Sequence, residues 1–306
     1  MFGLRTPSED PKKSYHEILD QQVKEEVDQL NRPTRGLVIS GFSAGLEVGF
    51  SLLLMAVMYT LVNGVFAEPI VDILVANMYS IGFIFVILGR SELFTEHTTL
   101  AVLPVLNGRA PLTSLARLWV LIFSSNIIGG ALFALMLVQI GPALDIIEPA
   151  TFGAIAQPLV DHAWWVILMS GILAGWMMGL LSWLVTASRD TISQILIVWL
   201  VTTAIGLSHL HHSIVGTIEV LAAVFANQGV TFADYGYFLV WTTLGNIIGG
   251  VVFVALIKYG HATQQSEEEA KESHSNNALN TEELHQAKPH VTKTPQTSTH
   301  THTPKK

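Results

Sequence analysis

The chain has 306 residues, half of them hydrophobic and only 13% charged, which excludes an ordinary soluble domain and fits a polytopic membrane protein. Its net charge of −8 gives no sign of a nucleic-acid partner, and most of its acids lie in the two tails. With no cysteine, a disulfide framework is excluded.

Met1 is followed by a polar, charged segment, and the first apolar run begins only near Leu37. That is unlike a cleaved signal peptide, so the first span is expected to be a retained anchor. Residues 12–30 place Tyr15, Ile18, Leu19, Val23, Val27 and Leu30 near helical spacing. This predicts an amphipathic helix, ended by Pro33 and packed on the protein's own cytoplasmic face rather than on lipid. Six apolar segments follow, near 37–62, 73–106, 113–140, 162–187, 194–226 and 235–259. Each is long enough to cross ~30 Å of hydrocarbon at ~1.5 Å per residue. The second and fifth are too long and too interrupted to be simple spans. The second contains the run from Arg90 to His97, and the fifth contains Ser208-His209-Leu210-His211-His212-Ser213 between Gly206 and Gly216. Imidazoles are costly at the bilayer centre, and a broken helix is tolerated there only inside protein or against a wet cavity. Both runs are therefore read as functional breaks.

The connections 63–72, 141–161 and 227–234 are read as loops and contain no Lys or Arg. Basic residues occur instead in the N-terminal segment, at Arg109, Arg117 and Arg189, and from Lys258 onward, which predicts both termini in the cytoplasm. Residues 261–306 are polar and are read as a disordered tail whose scattered histidines are solvated. The expected organisation is an N-terminal segment 1–35 with the amphipathic helix, a six-span domain 36–260 and the tail 261–306.

The halves repeat. Ser40-Gly41-x-x-Ala44-Gly45-x-x-x-Gly49 matches Ser170-Gly171-x-x-Ala174-Gly175-x-x-x-Gly179, Ser91-x-Leu93-x-Thr95 matches Ser208-x-Leu210-x-His212, and Asn126-Ile-Ile-Gly-Gly130 matches Asn246-Ile-Ile-Gly-Gly250. Three spans per half is an odd number, so the halves are inverted. The expected fold is an all-α membrane protein of six helices in an inverted 3+3 repeat with broken second and fifth helices, and a substrate path between the repeats.

This alignment pairs His212 with Thr95. A hydroxyl and an imidazole facing each other across a pore hold an anion or exchange a proton with it. The alternative is a buried histidine bonded to a carbonyl freed by the break, and the repeat pairing favours the pore. Of His209 and His211, one is expected to line the path and the other to satisfy backbone groups. No carboxylate or cysteine completes a ligand set around the three histidines, so neither a metal nor a cofactor is expected. Glu92 and Glu96 are read as helix caps and Arg90 is left without a role. Glu47 and Glu219 are rare in-membrane acids read as bonded to a neighbouring helix or at a subunit interface. The glycine stripes allow close helix approach.

Leu93-Phe94-Thr95, His212-Ser213-Ile214 and the two Asn-Ile-Ile-Gly-Gly segments resemble the formate/nitrite transporter family over roughly residues 35–260. The resemblance implies an aquaporin-like six-helix protomer in a homopentamer, one pore per protomer, and small monovalent weak-acid anions as substrates. It places the family's central histidine at His212 and its loop threonine at Thr95. It also places apolar constrictions near Leu93 and Phe83 on the cytoplasmic side, next to Phe94, and near Tyr79 and Ile205 on the outer side. The chain departs from the family at His211, where an acid is common, at Gly175, where an asparagine is common, and at 157–162, which lacks a basic residue; Arg90 intrudes before the threonine. These departures look closer to the YfdC-like inner-membrane branch of the family. The expected function is a channel or permease of the bacterial inner membrane for weak-acid anions, with protons and lipid as further partners, and not an enzyme. The competing readings are a neutral-solute channel, which lacks its Asn-Pro-Ala motifs here, and a membrane scaffold or sensor.

Overall fold

The computed structural model of the chain describes residues 12–261 and residue 264; the tail reading falls outside them. The helices in order are α1 (Tyr15–Leu30), α2 (Thr34–Val62), α3 (Glu68–Gly89), α4 (Phe94–His97), α5 (Val102–Leu106), α6 (Leu112–Ala143), α7 (Pro149–Val160), α8 (Trp164–Ala187), α9 (Thr191–Leu207), α10 (Ser213–Phe225) and α11 (Phe232–Gly250). The last span continues from α11 to His261, with π-helical turns over Val251–Leu256. No strand occurs among the described residues. Five helices, α2, α3, α6, α8 and the span Phe232–His261, are long and apolar enough to cross a membrane. The shorter apolar helices α9 and α10 make up the broken fifth segment.

Close helix approach organises the two halves. In the first, α2 packs along α6 and α3; in the second, α8 packs along α11 and α9. A Cβ on Gly45 would sit on the Asn126 carbonyl oxygen, and one on Gly175 would sit on the Asn246 carbonyl oxygen. Only a missing side chain lets these backbones meet, as small-residue stripes do between membrane helices. The halves join where α3 packs against α9 and α10 packs against α6.

α1 opens with a capping box, in which Ser14 Oγ accepts from the Glu17 N–H and the Glu17 carboxylate accepts from the Ser14 N–H. It buries Ile18, Leu19, Val23 and Leu30 and packs against α5, α6 and α8. Arg117 of α6 donates to the carbonyls of Leu30 and Arg32 and so holds the link from α1 to α2.

One expectation is corrected. Residues 141–161 are not all loop, because α7 forms there with Pro149 at its start and buries Phe152, Ala156 and Leu159. Proline suits a first helical position, where no intrahelical N–H bond is lost. The second segment is broken, as expected. α3 alone has 22 residues and crosses by itself, and the chain then breaks at residues 90–93 before α4 and α5.

Candidate functional site

Both breaks are held by the same set of side chains. In the first, Asn126 Oδ1 accepts from the Phe94 N–H at 2.8 Å, and Asn126 Nδ2 donates to the carbonyls of Glu92 (2.9 Å) and Gly41 (2.7 Å). In the second, Asn246 Oδ1 accepts from the Ser213 N–H at 2.9 Å, and its Nδ2 donates to the carbonyls of His211 (3.0 Å) and Gly171 (2.9 Å). Ser40 Oγ accepts from the Glu92 N–H and Ser170 Oγ accepts from the His211 N–H. A break frees backbone groups that nothing apolar can satisfy, and one asparagine with three bonds plus one serine meets that need in each half.

These bonds correct the repeat pairing. Asn126 brackets Leu93 and Asn246 brackets His212, and the two residues are the N-caps of α4 and α10. Leu93, not Thr95, is therefore the counterpart of His212, and Glu92 is the counterpart of His211. The sequence match placed the break two residues out because it aligned serines and leucines that the anchoring asparagines do not use.

Thr95 and His212 nevertheless meet. His212 Nε2 lies 2.8 Å from Thr95 Oγ1, and Nδ1 accepts from the Val215 N–H at 3.2 Å. An imidazole whose Nδ1 accepts carries its neutral-form proton on Nε2, so the ring donates to Thr95. The Thr95 hydroxyl proton then has no acceptor among the described residues. The Phe83 ring stands edge-on to His212 at 5.2 Å, and Tyr79, one turn earlier on α3, lies 5.3 Å from Phe83. Phe83, Leu93 and Ile205 are fully buried.

The other candidates separate. His211 is tied down at every polar atom. Its N–H donates to Ser170 Oγ, the serine hydroxyl donates back to Nδ1 at 2.8 Å, and Nε2 donates to the Leu159 carbonyl at 3.1 Å. It joins α7 and α8 to the break. His209 is exposed, has a positive φ of 49° and lines a cavity on the α7 side of the molecule. Phe94 turns away from His212, its ring against Phe123 (4.8 Å) and Trp119 (6.1 Å) of α6.

That cavity encloses about 650 Å³ between α2, α3, α7 and the second break, and Tyr79, Ile205, His209 and Leu210 line it. Glu68, Asp72, His162 and Glu219 line it as well, and no Lys or Arg does so among the described residues. Among the described residues Glu219 bonds to no neighbouring helix and instead lines this cavity. Hydropathy and motif spacing carry no sign of this grouping, since its members come from five separate segments.

At the opposite end the charged residues form a network, and the cap reading of Glu92 is corrected. His97 Nδ1 lies 3.0 Å from the Glu26 carboxylate of α1, and His97 Nε2 lies 2.5 Å from the carboxylate of Glu92, which also pairs with Arg32 at 3.1 Å. One imidazole therefore joins α1 to the first break. Glu47 accepts from Ser43 of its own helix at 2.6 Å instead of from a neighbour. Arg90 caps α3 in the left-handed region with φ 56°.

Five apolar spans and two broken segments that meet at a buried imidazole define a multi-pass membrane protein. The formate/nitrite transporter family model matches residues 16–260, and the chain belongs to that family. It is 30% identical over 250 residues to inner membrane protein YfdC of Escherichia coli strain K12, covering 80% of this chain and 76% of that protein. Among solved structures it is similar to an FNT family ion channel, with 25% identity, a TM-score of 0.70 and coverage of 81% of this chain and 98% of that one. It is also similar to a pentameric formate channel with formate bound, with 21% identity, a TM-score of 0.63 and coverage of 75% and 98%.

Proposed function

We propose that the chain is an inner-membrane channel or permease for small monovalent weak-acid anions, with a pore through each protomer centred on His212 and Thr95. The single observation that carries the reading is the 2.8 Å contact between Thr95 Oγ1 and His212 Nε2, where the two broken helices meet. An anion reaching this point meets the Thr95 hydroxyl proton and the positive end of the α10 dipole, worth about half a charge. Leu93 and Phe83 form the apolar constriction toward the cytoplasm, beside Phe94, and Tyr79 and Ile205 form the one toward the outside. An ion crosses an apolar gap at great cost and a neutral acid does not, so the constrictions select anions that take up a proton. His209 lines the outer approach and His211 has a positioning role.

The same reading makes the protein a transporter and not an enzyme, assembled as a homopentamer, with both termini in the cytoplasm and a dispensable tail from residue 261. The family membership and the pentameric formate channel among its structural neighbours support the assembly. The absence of Lys and Arg from alternate connections supports the orientation.

Weak-acid flux into liposomes from about pH 5 to 8, the range in which histidine usually titrates, tests the reading. His212→Asn keeps a polar side chain but cannot take up a proton near neutral pH. It is expected to lose the pH dependence of flux while remaining assembled. An unchanged flux and pH profile would reduce His212 to a structural residue and remove the mechanism.

A further inference from the structure

The cavity on the α7 side is built in a way that anion entry alone does not explain. It carries three carboxylates, Glu68, Asp72 and Glu219, and two imidazoles, His162 and His209, with no Lys or Arg among its described residues. An anion arriving there meets its own sign of charge, while cations, protons included, are drawn in. Glu68 is exposed and Asp72 is half-buried, whereas Glu219 is only 5% exposed. Among the described residues Glu219 makes no hydrogen bond or ion pair, although a buried carboxyl group ordinarily has a partner. Its open direction is the cavity.

The position of Glu219 on α10 is specific. Residues 213–223 are all buried, so Glu219 faces neither lipid nor a second copy of the chain. It follows His212 by two helical turns, which sets it on the same helix face about 10 Å further toward the α7 side. The titratable groups that share the cavity with it are Tyr59 of α2, Glu68, Asp72 and Tyr79 of α3, His162 before α8 and His209 in the break. The α7 residues that line it are Ala154, Ile155, Pro158 and Leu159, none of them titratable. Tyr235 of α11 lies instead 3.4 Å from Thr217, on another face of α10.

We propose that Glu219 is the proton-exchange residue of the outer vestibule. It hands a proton to the incoming weak-acid anion before the constriction at Tyr79 and Ile205, and recovers one from vestibule water. The proposal rests on the weak-acid reading above. In the step, the O–H bond of the Glu219 carboxylic acid breaks and its electron pair stays on Glu219. An O–H bond forms on an oxygen of the substrate anion, which becomes the neutral acid. A proton from the vestibule, concentrated there by Glu68 and Asp72, restores Glu219, so one proton enters with each acid. This arrangement supplies what a basic residue at the outer mouth would otherwise supply. Anions are not attracted as ions but are loaded as acids.

The test uses the full chain in liposomes, with acetate uptake measured at external pH values from about 5 to 8. Glu219→Gln keeps size and hydrogen bonding and removes the exchangeable proton. The expected result is at least about a tenfold loss of uptake at pH 7 to 8 and near-normal uptake at pH 5, where much of the acetate already arrives as acetic acid. Glu219→Asp is expected to restore part of the uptake at high pH. Equal pH profiles for the unaltered protein and the Gln variant would overturn the proposal and leave the weak-acid reading standing. So would a loss of the same size at every pH, which is the signature of a structural role. No weak-acid flux in the unaltered protein at any pH would overturn the weak-acid reading, and the proposal with it. If the Gln variant fails to assemble, Glu219→Asp decides: a shifted pH midpoint supports the proposal and an unchanged one overturns it.

Discussion

Replacing Asn246 by leucine removes the second anchor while keeping its branched shape and number of side-chain heavy atoms. Asn246 makes three buried bonds, to the Ser213 N–H and to the carbonyls of His211 and Gly171. Gly171 lies within α8, so its carbonyl retains an intrahelical partner. The Ser213 N–H and the His211 carbonyl lie at the break and are left without one. Each unsatisfied buried group costs about 1–3 kcal/mol, so Asn246→Leu is expected to destabilise the fold by roughly 2–6 kcal/mol. At about 2–4 °C per kcal/mol for a chain of this class, the melting midpoint of the detergent-solubilised protein should fall by roughly 4–24 °C. Asn126→Leu should cost a similar amount, because it leaves the Phe94 N–H and the Glu92 carbonyl in the same position. The two variants should differ in flux. Asn246 holds the residues on either side of His212, and Asn126 holds those on either side of Leu93, so surviving Asn246→Leu protein should lose more transport. Thermal unfolding followed by intrinsic fluorescence, with flux measured on the same samples, reads both quantities. A midpoint within about 1 °C of the unaltered protein, together with normal flux, would refute the idea that these asparagines hold the breaks in place.

Gly175→Ala should abolish assembly, because its Cβ would overlap the Asn246 carbonyl oxygen. Gly236→Ala in α11, with nothing within 4 Å of the added Cβ, should be neutral or stabilise by up to about 1 kcal/mol. Size-exclusion profiles of the two variants make the comparison. The absence of native cysteine makes single-cysteine labelling clean. In intact cells Ala67→Cys should react with a membrane-impermeant maleimide and Arg109→Cys should not; the reverse pattern would invert the proposed orientation.

The sequence by itself determined the class of the molecule, and the reasons are local. Hydropathy over some twenty residues marks a span whatever its neighbours, glycines flanking a polar run mark a break, and two copies of Ser-Gly-x-x-Ala-Gly and of Asn-Ile-Ile-Gly-Gly mark a duplication. Those same motifs prove to be the anchors, since Ser40, Ser170, Asn126 and Asn246 hold the two breaks. The meeting of Thr95 with His212 was also legible, although by an alignment that was two residues out. Only the tertiary structure decided the register, because which residue of a break becomes the helix cap depends on where a distant asparagine delivers its three bonds. It alone assigned His211 to a structural network with Ser170 and Leu159, because a histidine's role lies in what faces its two nitrogens and not in its neighbours along the chain. The joining of α1 to the first break through Glu26, His97 and Glu92, and the gathering of Glu68, Asp72, His162 and Glu219 around one cavity, were likewise decided by packing. Side chains from separate helices share a cavity through the angles at which those helices cross, and periodicity within any one of them carries no record of those angles.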